Sequence, residues 1–234
     1  MIHGKLYLIP TPLGGEPEDS LPLGNIEVIR SLDEFIVEDE RTARRFLATL
    51  DLKRPIKELQ FRRLSEHTRE SEFLGLLKSL QNGKSVGLLS EAGCPCVADP
   101  GSSLVRLAHE KGIEVVPLVG PSSILLALMA SGLNGQSFAF VGYLPKERSA
   151  RIRRIHELES LVRRQGQTQL FIETPYRNNH MLEDLLGQLE PHTRLCLAVE
   201  VGSPKAWIQT KTVAEWLKKA PDLNGRPTMF AIGS

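Results

Sequence analysis

Short apolar runs alternate with amphipathic stretches along almost the whole chain. Lys5–Pro10, Phe35–Val37, Val86–Leu89 and Ile113–Pro117 are compact apolar segments bounded by polar or glycine-rich sequence, which reads as buried strands. Between them, residues 28–32 fit a helix end, and Glu38 or Asp39 opens a helix running through Leu50 with Arg41, Arg44 and Arg45 on one face. Phe73, Leu74, Leu76, Leu77 and Leu80 recur at helical spacing before an Asn82-Gly83 turn, and Ser102–Lys111 reads as a helix stopped by Gly112. Residues 53–65 are less regular, with a strand fitting Ile56–Gln60.

The second half continues the alternation. Strands are expected at Phe138–Val141, Gln169–Ile172, Leu195–Glu200, Trp207–Thr210 and Met229–Ile232, with helices at about Ser149–Arg164 and Tyr176–Leu189. Ile124–Ala130 is apolar on every side, as expected of a helix buried between two layers. Strand and helix in turn predict an α/β protein with a mostly parallel sheet covered on both faces, whose ligands collect beyond the carboxyl ends of the strands. Two α/β domains are expected, residues 1–117 and 118–234.

Several function classes lose support. There is no G-x-G-x-x-G fingerprint and no P-loop lysine after a glycine run, so a dinucleotide enzyme and a nucleotide hydrolase are disfavoured. Cys94, Cys96 and Cys196 are odd in number, and the first two have one residue between them where zinc sites usually have two, so reduced structural thiols and no metal are expected. No apolar run approaches the roughly 20 residues that span a bilayer, and Met1-Ile-His-Gly-Lys5 lacks a secretory signal, so the expected location is cytoplasmic, with no membrane partner.

Net charge is +1, yet residues 1–117 hold 15 Lys and Arg against 18 Asp and Glu, while residues 118–234 hold 14 against 10. Much of that excess lies in Lys146, Arg148, Arg151, Arg153, Arg154, Arg163 and Arg164, on or just before one helix. Such a run is either a solvated face or a phosphate-binding strip.

Two strand-like runs empty into small-residue loops, Ser90-Glu-Ala-Gly93 and Gly120-Pro-Ser-Ser123, where a backbone can approach a ligand closely. Together with Thr11-Pro-Leu-Gly14, Glu38-Asp-Glu-Arg41 and Phe171-Ile-Glu-Thr-Pro-Tyr-Arg177, their order resembles the tetrapyrrole methylase superfamily of S-adenosylmethionine-dependent methyltransferases. Within it, the chain is most similar to the branch that 2′-O-methylates a cytidine of small-subunit ribosomal RNA, though it carries Gly14-Gly15 where that branch has Gly-Asn. The resemblance implies a cofactor cleft between two α/β domains, a homodimer, ribosomal RNA or the small subunit as partner, and S-adenosyl-L-methionine as cofactor. It also implies cofactor contacts from Pro12, Leu13 and Gly14, from Ser90, Glu91, Ala92 and Gly93, from Ser122 and Ser123, and from Thr228 near the end of the chain.

Methyl transfer from a sulfonium asks mainly for alignment, so no conspicuous triad is needed. A ribose hydroxyl must still lose its proton, and Glu66-His67 falls in a stretch similar to a Glu-His segment of the ribosomal RNA branch, which makes the pair candidate bases. Asp39 and Arg41 resemble the family's acidic-x-Arg motif, or else mark a helix start favoured by the dipole. Glu173 and Arg177 lie about one helical turn apart after an apolar strand, where they either position substrate or cap the helix and pair with each other. Arg151 and Arg154 are the candidate phosphate contacts on the basic helix. Methylation of a tetrapyrrole or another small molecule, and a non-catalytic module that binds adenosylmethionine or RNA, are the alternative readings.

Overall fold

The computed structural model describes residues 3–65 and 67–234. The chain divides into two compact units, Met1–Ser122 and Ser123–Ser234. Residues 118–122 were expected in the second domain but are tied to the first: Leu118 N donates to Leu8 O at 3.0 Å and Val119 O accepts from Asn25 Nδ2 at 2.6 Å.

In the first unit, β1 (Leu6–Ile9), β2 (Glu34–Val37), β3 (Gln60–Arg63), β4 (Val86–Leu89) and β5 (Val115–Pro117) form a sheet ordered β3-β2-β4-β1-β5. Every pairing is parallel. Strand side chains alternate between two cores. Leu6, Ile36, Val86 and Leu88 pack under α3 (Glu70–Gln81) and α4 (Gly101–Glu110), while Ile9, Phe35, Val37 and Leu89 pack under α1 (Leu23–Ser31) and α2 (Glu40–Ala48). Burial on both faces is why these strands read as continuous apolar runs. Parallel pairing also brings all five carboxyl ends to one edge of the sheet.

The strand expected at Ile56–Gln60 is a 3-10 turn at Ile56–Glu58, with Glu58 N bonded to Pro55 O at 2.9 Å, and β3 begins at Gln60. As an edge strand with sequence Gln-Phe-Arg-Arg, β3 is only partly covered and carries no apolar run to betray it.

The second unit contains α5 (Ser123–Ser131), β6 (Phe138–Tyr143), α6 (Arg148–Gln165), β7 (Thr168–Ile172), α7 (Asn178–Gln188), β8 (Arg194–Val199), β9 (Trp207–Thr212), α8 (Val213–Trp216) and β10 (Thr228–Gly233). Its sheet runs β6-β7-β10-β8-β9, and only β6 and β7 are parallel. A mostly parallel sheet is therefore the wrong expectation for this half. The connection from β8 to β9 is too short for the crossover a parallel pair requires, so the chain turns back as a hairpin.

One face of this sheet packs Phe171, Leu197 and Phe230 against Ile155, Leu158 and Val162 of α6 and Met181 and Leu185 of α7. The other packs Leu170, Ala198, Met229 and Ala231 against Ala127 and Leu128 of α5. The helix expected to be buried all round is not: Leu125 is 52% and Met129 78% exposed. Among the described residues, no helix is long and apolar enough to cross a membrane.

Phe171 and Phe230 stack at the centre of the second core with ring centroids 5.7 Å apart, and neither ring reaches solvent. Replacing such a ring by a methyl leaves a cavity that the neighbours only partly fill, so Phe171→Ala should destabilise by about 3–5 kcal/mol in urea unfolding.

Candidate functional site

The loops that leave β1, β4 and β5 meet at Gly93. Thr11 and Gly93 exchange two backbone hydrogen bonds, each 3.0 Å, and clasp the first loop to the second. Ser90 reinforces the clasp by donating its hydroxyl to Gly93 O, and its Oγ lies 3.3 Å from Thr11 Oγ1. Gly93 has φ +75°, and a Cβ there would stand 3.0 Å from Leu13 Cδ2 of the first loop and 3.3 Å from Pro121 O of the third. At Gly120 a Cβ would fall 2.3 Å from Pro10 Cβ, so the third loop lies directly on the first. Only glycine permits these approaches.

The result is a concentration of main-chain groups and small side chains with little steric bulk. Pro12, Leu13, Gly14 and Ser90 are partly covered, Glu91 and Ala92 exposed, and Gly93 buried. Ser122 closes the third loop, and Ser123 opens α5. Such a surface suits a small molecule held chiefly by backbone groups at the carboxyl edge of a parallel sheet.

Residues 94–101 brace this edge from behind. Asp99 accepts from Cys96 N at 2.9 and 2.8 Å and from Gly101 N at 2.8 Å, holding a turn in which Cys96 and Ala98 take φ +69° and +59°. Burial pushes the Asp99 carboxyl above its usual range, against the pull of those N–H groups. The Cys94 thiol points to Pro121 O at 3.4 Å, while burial and Asp99 push Cys96 up to about 12. These are unreactive thiols. Thr11, Cys94 and Asp99 escaped the sequence reading as parts of the site, although the turn chemistry of Ala98-Asp-Pro-Gly101 was a usable signal.

The same edge carries Asp39, Arg41 and His67. Asp39 caps α2, its Oδ1 accepting from Thr42 N at 2.7 Å, and that bond, aided by Arg63 and Arg41, holds its carboxyl below the usual range. Arg41 is exposed, whereas Arg44 pairs with Glu40 at 2.7 Å and lies over the Phe61 ring. His67 sits exposed in the turn after β3; Glu66 lies outside the described residues.

In the second unit, Glu173 follows β7 and its side chain is buried, accepting from Thr174 N at 2.6 Å and from Arg177. These two candidates therefore engage each other. Thr228 is buried at the start of β10 and donates to Arg226 O at 3.0 Å. Arg226 in turn pairs with Glu200, a residue held at φ +50° just after β8, at 2.9 and 2.6 Å.

Arg151, expected among the phosphate contacts, is buried and joined to Asp184 at 2.6 Å, with further bonds to Pro145 O and Lys146 O. A guanidinium so enclosed is structural. Arg154 remains on the surface, paired with Glu157 at 2.9 Å. No group of three or more His, Cys, Asp or Glu is arranged to hold a metal among the described residues.

The profile of the family Tetrapyrrole (Corrin/Porphyrin) Methylases matches residues 5–216. The chain is 34% identical over 215 residues to Ribosomal RNA small subunit methyltransferase I of Vibrio cholerae, spanning 90% of this chain and 69% of that protein. It is 31% identical to the protein of the same name from Escherichia coli O157:H7, over 93% of this chain and 73% of that one. Among solved structures it is similar to the methyltransferase CobJ, with TM-score 0.67 and 18% identity over 99% of this chain and 94% of that one. It is also similar to uroporphyrin-III C-methyl transferase from Thermus thermophilus complexed with S-adenyl homocysteine, with TM-score 0.61 and 17% identity over 99% and 98%.

Removing Arg151 strands a carboxylate whose side chain is only 3% exposed. Arg148 also reaches Asp184, at 2.9 Å, and limits the damage. Arg151→Gln should therefore cost about 3 kcal/mol, near the lower end for a broken buried pair, read as a lowered urea midpoint with unchanged slope.

Proposed function

Because the chain belongs to the tetrapyrrole methylase family and is an S-adenosylmethionine-dependent methyltransferase, we propose that it methylates small-subunit ribosomal RNA at a ribose 2′-hydroxyl. The observation that carries the acceptor is the likeness, at 31–34% identity across at least nine-tenths of this chain, to proteins named Ribosomal RNA small subunit methyltransferase I. Similarity to the solved tetrapyrrole enzymes, at 17–18% identity, concerns the fold alone.

The residues present fit the cofactor. Gly93 and Gly120 let the three loops close on one another where a Cβ would meet Leu13, Pro121 O or Pro10, and the groups gathered there are main-chain donors, hydroxyls and short side chains. In this reading Pro12, Leu13 and Gly14, the Ser90–Gly93 loop, Ser122 and Ser123 hold S-adenosylmethionine. When bound, the cofactor supplies a methyl on a sulfonium, already activated for transfer.

The protein's own work is then alignment and proton removal. His67, on the loop after β3, accepts the proton of the ribose hydroxyl, with Glu66 beside it in sequence. Asp39 caps α2 and fixes the helix start from which Arg41 projects. Glu173 holds Arg177 in place to orient the acceptor, and Arg154 contacts phosphate. The reading includes a cytoplasmic enzyme working as a homodimer, which sedimentation of the purified protein tests directly.

Calorimetry should register S-adenosylmethionine binding by the native protein and none by Gly93→Leu, with circular dichroism showing both folded. Unchanged affinity in the folded variant would remove these loops from the cofactor site. In single-turnover assays on small ribosomal subunits, His67→Ala should lower the methylation rate by about 100-fold to 10,000-fold while cofactor affinity holds. A map of ribose methylation in cells with and without the protein should differ at a small-subunit site; identical maps would overturn the acceptor.

A further inference from the structure

Helix α6 divides its charges between its two faces. Ile155, Leu158 and Val162 turn inward with Arg151 and Glu159, and both buried charges are answered: Arg151 by Asp184, and Glu159 by Thr193 Oγ1 at 2.6 Å and Glu190 N at 2.8 Å. The opposite face forms a shallow groove of about 640 Å³ lined by Arg153, Arg154, His156, Glu157, Ser160, Leu161 and Arg164. Glu157 is its one acid, and Arg154 holds it at 2.9 Å.

Arg153 and Arg164 are exposed and make no ion pair among the described residues. Glu147 attracts Arg153 from the helix start, yet its carboxylate is already bonded to Ser149 N and Ala150 N at 2.8 and 2.7 Å. Arg164 Nε reaches Ser160 O at 3.4 Å, which lays the guanidinium along the helix and leaves its other nitrogens to solvent. Eleven residues separate the two arginines, about 16 Å along the axis and on the same side. Phosphates on one strand of duplex DNA recur about every 3.4 Å along its axis, and A-form RNA packs them no more sparsely. The strip therefore spans several of them.

We infer that the outer face of α6 tracks the sugar-phosphate backbone of the RNA acceptor, with Arg153 and Arg164 as its two phosphate contacts and Arg154 between them occupied by Glu157. This rests on the ribosomal RNA reading above and moves its phosphate contact from Arg154, which Glu157 holds, to Arg153 and Arg164. The surface reads no bases; it adds affinity and holds the strand while the reacting nucleotide is placed elsewhere.

The test measures binding of a small-subunit ribosomal RNA fragment across a salt series for the native protein, for Arg153→Gln/Arg164→Gln, and for Lys218→Gln/Lys219→Gln. The last removes the same charge from exposed positions after α8. Each phosphate contact contributes about 0.7 to 0.9 to the slope of log K against log salt, so the arginine variant should be shallower by about 1.5. The lysine variant should match the native slope, and all three should bind S-adenosylmethionine alike. Equal slopes for the native and arginine proteins would overturn the strip while leaving the RNA reading intact, as expected if that face met an acidic protein instead. An equal loss in the lysine variant would reduce the effect to net charge and overturn it too. Absence of RNA binding by the native protein at low salt would overturn both the strip and the reading on which it rests.

Discussion

Two reciprocal hydrogen bonds between Thr11 and Gly93 decide what the carboxyl edge of the first sheet can be. They pull together the loops after β1 and β4, which are 79 residues apart in sequence where Thr11 meets Ser90, and leave no place for a side chain at Gly93. Leu13 and Pro121 close on the same point from either side. What gathers around that point is peptide groups and hydroxyls. Asp99 is a consequence of that arrangement, because a turn with two non-glycine residues at positive φ persists only where surrounding bonds over-determine it.

The parallel register of the first unit was largely legible in the sequence for a physical reason. Strands covered on both faces are apolar at every position, and β1, β2 and β4 stand out against their polar helices. Strand β3 did not, since an edge strand can afford arginines. The direction of strands in the second unit was also hidden, because pattern records burial and not polarity of pairing, and only the short connection after β8 betrays the turn back. The site divides along similar lines. Gly93 and Gly120 could be suspected from composition, whereas Arg151 and Arg153 look alike in a sequence and differ only in which side of α6 meets the core.

Buried carboxylates recur throughout, and each is answered locally. Glu34 takes hydrogen bonds from Arg62 and Ser79, Glu159 from Thr193 and Glu190, Asp184 from two arginines, and Glu173 from Arg177. An unpaired charge in those positions would cost several kcal/mol, so these partners are fixed by folding before any function enters. The cations left over after this pairing are the ones that give the surface its character.

Strand β10 lies at the centre of the second sheet although it is the last strand along the chain, and it alone joins the β6-β7 pair to the β8-β9 hairpin. Until residues 228–233 leave the ribosome, those two pieces have no shared hydrogen bonds and Phe171 lacks the ring it stacks on. The first unit needs nothing beyond residue 122 to close its own sheet. During synthesis the two halves thus mature in sequence, with the loops around Gly93 assembled while the second half still waits for its keystone.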